Sequence, residues 1–146
     1  MPTLTFVNPS KAIVWKKLKS RVLKVYPEAE VHIEEGKDKR TKKKTIWTKI
    51  RVWNGGDKHS PSIEKVVDIT ATKEAITVEV VTTDNRKSHD RSTKGTITIF
   101  QERSATNKYI GVNVDTVSSY IDRSIDFFTV VTYNGYKDKL SGFIND

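Results

Sequence analysis

Trp47, Lys49, Arg51 and Trp53 alternate along a single segment, Ile46-Trp-Thr-Lys-Ile-Arg-Val-Trp53. A period of two is that of a half-buried strand, so Ile46, Thr48, Ile50 and Val52 belong to one face and the two indoles and two cations to the other. An indole offers a flat π surface on which a nucleobase stacks for about 1–3 kcal/mol, whatever the base. Lys49 and Arg51 between the rings would meet phosphates spaced along a single strand. The competing role is structural: Trp is highly buried on average, and both rings can lie under a helix with the cations snorkelling past them.

Directly upstream stands Gly36-Lys-Asp-Lys-Arg-Thr-Lys-Lys-Lys44, in which Lys37, Lys39, Arg40, Lys42, Lys43 and Lys44 surround one Asp. Six cations in reach of phosphates would give steeply salt-dependent binding. Charge at a hairpin tip also keeps a turn solvated and an edge strand from pairing, so the run alone is a weak signal. Its setting is more telling. Residues 1–53 carry 14 Lys/Arg against 5 Asp/Glu, residues 54–146 carry 12 against 13, and the net charge of +8 therefore belongs to the first third. Lys17, Arg21 and Lys24 add a narrow basic stripe at helical spacing within a stretch, 1–27, that has no acidic residue.

Catalytic and metal-binding constellations are missing rather than weak. There is no Cys, which removes thiolate nucleophiles, disulfides and Cys-based metal sites. The three histidines, His32, His59 and His89, lack any close His-x-His or His-x₃-His spacing. His59-Ser-Pro-Ser and His89-Asp-Arg-Ser place the hydroxyl three residues after each His, whereas the paired-histidine phosphoesterases place it two after, so that resemblance is not adopted. Glu35-Gly-Lys37 has the Glu-x-Lys spacing of carboxylate nucleases, but it falls at a turn with no Asp before it. No Gly-rich phosphate loop or helix-borne metal motif occurs. The expectation is a protein that is not an enzyme and uses no cofactor or metal.

These residues need a scaffold, and the periodicity describes one. Leu4 to Val7 reads as a short opening strand, and Ser10 as the cap of a helix to Tyr26 that Pro27 ends. Val14, Trp15, Leu18, Val22, Val25 and Tyr26 form its core-facing stripe. From Glu30 the period becomes two, with strands from Val31, then over 45–53, 63–70, 75–83, 96–101 and 108–114. Short polar loops between them predict an antiparallel meander whose loops fall at alternate ends, so the basic loop should share an end with 71–74 and 103–107, and 54–61 with 84–95. Asp115 is the expected cap of a second, more acidic helix to about Phe128, and Val117, Tyr120, Ile121, Phe128 and Val131 share its stripe. Thr129 to Tyr133 suits either a helix or a hairpin closed by Asn134-Gly135.

The chain is thus expected to be one α+β domain, 1–146: a short strand, an amphipathic helix, a meander of about six strands, and a C-terminal amphipathic helix packed on the sheet. Its apolar runs are far shorter than the ~20 residues of a membrane span, and Met1 to Val7 lacks a basic leader, so the expectation is a soluble cytoplasmic protein. The expected partner is nucleic acid, single-stranded rather than duplex, with weak sequence preference. The alternative is an adaptor or assembly component whose basic patch meets an acidic protein surface, or a homo-oligomer in which the acidic second helix meets a neighbour's basic first helix.

Overall fold

β-branched residues dominate the middle of the chain at alternate positions, and there the backbone is extended and laddered. The computed structural model of the protein describes residues 6–86 and 91–125. Five strands form an antiparallel meander in sequence order: β2 (Glu30–Lys37), β3 (Lys44–Gly56), β4 (Pro61–Ala71), β5 (Ala75–Asp84) and β6 (Arg91–Phe100). A second, smaller sheet is built from β1 (Phe6–Val7), β8 (Tyr109–Asn113) and β7 (Glu102–Arg103), in that order. Among the described residues two α-helices join these sheets in an α+β fold, α1 (Trp15–Val25) and α2 (Val114–Ile125).

Each strand of the meander places one set of side chains in the interior. On β3 this set includes Ile50 and Val52, on β4 Ile63, Val67, Ile69 and Ala71, and on β5 Ile76, Val78 and Val80. Leu18 and Val22 of α1 and Val117, Ile121 and Ile125 of α2 pack with them in one core. Trp15 and Tyr26 lie half-buried against this core, while Val14 and Val25 are 57% and 67% exposed. The buried arc of α1 is therefore narrower than the apolar stripe of its sequence. Lys65 is buried on the inward face of β4, a position that alternation assigns but charge does not suggest.

The predicted sixth strand forms, but joins the small sheet. Phe6 pairs with Asn113 and Val7 with Val112, which ties the opening strand to the end of the strand series. Gly111 permits this approach: its φ is +103°, and a Cβ there would lie 2.2 Å from the Val7 carbonyl oxygen. Caps also differ in detail. Asn8 caps a 3-10 turn at Pro9–Lys11, its Oδ1 accepting from the Ser10 N–H, and α1 begins four residues later. Asn113 caps α2, accepting from the Thr116 N–H at 3.0 Å, with Asp115 inside the first turn. The expected continuation to Phe128 and the segment 129–133 lie outside the described residues.

Loop placement follows the meander in part: residues 91–95 of the expected 84–95 loop already belong to β6, and 103–107 connects β7 to β8 in the small sheet. Lys43 in the β2–β3 loop bonds Glu74 in the β4–β5 turn at 2.7 Å, and Gln101, just past β6, donates to the Lys73 carbonyl at the same end. At the other end Asn85 bonds the Pro61 and Ser62 carbonyls.

Candidate functional site

Register sets the neighbours of the alternating segment on β3. Glu30, His32 and Glu34 of β2 stand opposite Arg51, Lys49 and Trp47, and on the other side Val66, Asp68 and Thr70 of β4 do the same. Directly paired residues share a face of the sheet. Trp47, Lys49, Arg51 and Trp53 thus lie on the face opposite the core, with both indoles half-buried and outside the cluster that the described helices pack against. Trp47 reclines on the edge strand: a Cβ on Gly36 would lie 3.5 Å from its Cζ3. A glycine in a strand leaves a gap that a cross-strand aromatic fills.

Arg51 is held by carboxylates. Its Nε donates to Glu64 at 2.5 Å, its Nη1 to Glu30 at 2.9 Å and its Nη2 to the Lys58 carbonyl at 2.8 Å. The guanidinium carbon sits 5.0 Å from the Trp53 ring centroid, a cation–π distance. The bond to Glu64, aided by that to Glu30, raises the Arg51 pKa above its ordinary value. Arg51 therefore buttresses Trp53, and its charge is already matched. Across the five strands this face carries Glu30, Glu34, Glu64, Asp68 and Glu79 against Lys49, Arg51 and Lys94, so the sheet face is not a cationic platform. Lys49 is exposed and has no carboxylate partner among the described residues.

The hairpin tip is different. Asp38 accepts from the backbone N–H groups of Arg40 and Thr41 at 2.8 and 3.1 Å, and its own N–H bonds the Lys43 carbonyl at 2.9 Å. These bonds fold residues 38–43 into an ordered turn. Lys37, Lys39, Arg40 and Lys42 project from it, exposed and without carboxylate partners among the described residues. Lys44 pairs with Glu35 at 2.9 Å and Lys43 with Glu74 at 2.7 Å. Two features of the tip act against stability. Lys37 stands directly opposite Lys44, and Lys42 has φ +62°, a left-handed conformation that favours Gly or Asn.

Of the helical stripe, Lys17, Arg21 and Lys24 are all exposed on α1. Arg21 pairs with Asp122 of α2, so the basic and acidic helices meet within one chain. A cleft of about 410 Å³ lies beside this pair, lined by Leu18, Val22, Val25, Tyr26 and Ile125. No ion pair or hydrogen bond among the described residues joins α1 to the hairpin tip. His32 and His59 are exposed, His89 lies outside the described residues, and no three His, Asp or Glu side chains converge among the described ones. None of the described helices is long and apolar enough to cross a membrane.

Sequence reading missed Glu30 and Glu64 as the partners of Arg51 and Gly36 as the bed of Trp47. Alternation puts all three on the outer face, but only register makes them neighbours. Compared with known protein families, curated proteins and solved structures, the chain matches none.

Proposed function

We propose that the protein binds nucleic acid without catalysis, through the β2–β3 hairpin tip, with the exposed lysines of α1 as a second basic surface. The observation that carries this reading is the tip itself. Four cations with no carboxylate partner among the described residues crowd an ordered turn that keeps a lysine where glycine is cheaper and sets two lysines face to face. Local stability rules are broken in this way at positions retained for another purpose.

Phosphate contacts from Lys37, Lys39, Arg40 and Lys42 supply affinity that is insensitive to sequence. Trp47, one strand in from the edge and adjoining the tip along β3, is the stacking surface nearest these cations. That combination of a basic track and an aromatic step suits a single strand, whose bases are free to stack. Arg51 supports Trp53 rather than meeting a phosphate. The face beyond Lys49 is acidic and would repel the backbone, which confines the binding track to the tip end of the sheet.

The test is titration of labelled single-stranded and duplex oligonucleotides of equal length, read by anisotropy and by indole fluorescence. The expected result is tighter single-strand binding, with Trp47→Ala weakening it by about 1–3 kcal/mol and leaving duplex affinity unchanged. Binding of an acidic protein surface but of neither oligonucleotide would replace this reading with the adaptor one.

A further inference from the structure

The two edges of the meander are unequally protected. β2 carries Glu30, His32, Glu34, Glu35 and Lys37, the charged dressing that keeps an edge strand from pairing with another chain. β6 at the opposite edge reads Arg-Ser-Thr-Lys-Gly-Thr-Ile-Thr-Ile-Phe. From Ser92 to Phe100 its one charged residue is Lys94, and that charge is met by Glu79 at 3.4 Å. Phe100 is 68% exposed. No strand among the described residues pairs with the outer side of β6.

The ladder shows which groups that edge presents. Gln101 N–H donates to the Glu74 carbonyl, one step beyond the Ala75–Phe100 pair, and Thr72 and Asn85 close the other side of β5 in the same alternation. Odd-numbered residues of β6 therefore bond β5, while Ser92, Lys94, Thr96, Thr98 and Phe100 direct N–H and C=O outward. This is an unbroken strand edge with no proline and no bulge in its register.

We propose that this edge is a self-association surface, pairing antiparallel with β6 of a second copy of the chain about a two-fold axis at Thr96. The occupant follows from side-chain complementarity. That register sets Thr96 against its mate, Lys94 of one copy against Thr98 of the other, and Ser92 against Phe100. On the inward face Gly95 meets Ile97 and Thr93 meets Ile99. No like charges oppose each other, and about ten backbone hydrogen bonds form across the axis. The basic tips do not resist it. Each lies at the far edge of its own sheet, so the joined ten-stranded sheet separates them by roughly 40 Å, several Debye lengths at physiological salt. Heterologous pairing of β6 with a neighbour's β2 would leave open edges and filaments, and the charges on β2 disfavour it.

Sedimentation velocity across micromolar to sub-millimolar concentrations tests the pairing in the absence of nucleic acid. The expected result is a concentration-dependent species of twice the 16.6 kDa chain mass that persists in high salt. Thr96→Pro removes an outward N–H and no β5 bond, and Thr96→Lys with Thr98→Lys adds repulsion across the axis. Each should abolish the dimer while circular dichroism shows the fold retained. Because the chain has no cysteine, Thr96→Cys should cross-link under oxidation at least tenfold faster than Lys49→Cys, placed on the same face three strands away. A monomer at all concentrations, a dimer that survives both edge variants, or equal cross-linking rates overturns the proposal. Because ionic contacts are absent from this interface, a dimer lost in high salt would also count against it. Oligonucleotide affinity measured below the dimerisation range reports on the binding reading separately.

Discussion

At Lys42 the backbone is left-handed, a conformation that costs a residue with a Cβ about 1–2 kcal/mol relative to its ordinary form. Lys42→Gly should therefore raise stability by about 1 kcal/mol in urea unfolding while lowering oligonucleotide affinity, since stability and binding pull in opposite directions at this position. Asp38 organises the same turn. The N–H groups of Thr41 and Arg40 favour its ionised form and hold its carboxyl below the ordinary 3.8. The sign follows: its support of the turn is present above that ordinary value and is lost as pH falls through the lower, folded-state one. A carboxyl-carbon NMR titration should place the Asp38 midpoint below 3.8, and a midpoint at or above it would contradict this geometry. Arg51 behaves oppositely to Lys42. Arg51→Ala leaves Glu30 and Glu64 without their donor and should cost about 1–3 kcal/mol of stability. The salt dependence of binding should not change, because that charge is already matched. Sequence alone could not separate these two cations, since both sit in the same basic third.

Elements were far more legible than their partners. Alternation located the strands and assigned Trp47, Lys49, Arg51 and Trp53 to one face, because side-chain direction is fixed by a local period. Hairpin connectivity then put the basic loop beside residues 71–74. What local pattern cannot carry is pairing between distant segments. The strand at 109–113 suited continuation of the meander equally well, and its pairing with β1 depends on Gly111, whose missing side chain admits the Val7 carbonyl. Gly111→Ala should accordingly destabilise the protein by about 2 kcal/mol or more, and loss of protection at Val7 and Val112 in hydrogen exchange would localise the damage. Caps show the same limit. Ser10 and Asp115 fit the consensus, yet Asn8 caps only the 3-10 turn before α1, Val14 at the start of α1 makes no side-chain cap bond, and Asn113 caps α2. Val14 and Val25 matched the apolar stripe of α1 and remain exposed, since the core beneath the helix receives only its central arc.

For the molecule as a whole, the excess of charge in the first third becomes a spatial arrangement rather than a uniform field. Carboxylates from β2, β4 and β5 quench the middle of the outer sheet face, and Asp122 meets Arg21 between the helices. Among the described residues, the cations without a carboxylate partner include Lys37, Lys39, Arg40 and Lys42 at the hairpin tip and Lys17 and Lys24 on α1. Under the proposed reading, counterion release would tie affinity to salt through these cations. The decisive measurement is the slope of log affinity against log salt for a single-stranded oligonucleotide. It is compared among the wild type, a Lys37→Ala/Lys39→Ala/Arg40→Ala/Lys42→Ala variant and a Lys43→Ala/Lys44→Ala variant. The unpaired set should lower the slope by roughly 3, near 0.7 per cation, and the carboxylate-paired set should change it by well under 1. No binding by the wild type, or equal slopes in all three proteins, would contradict the reading of the tip as the phosphate-binding element.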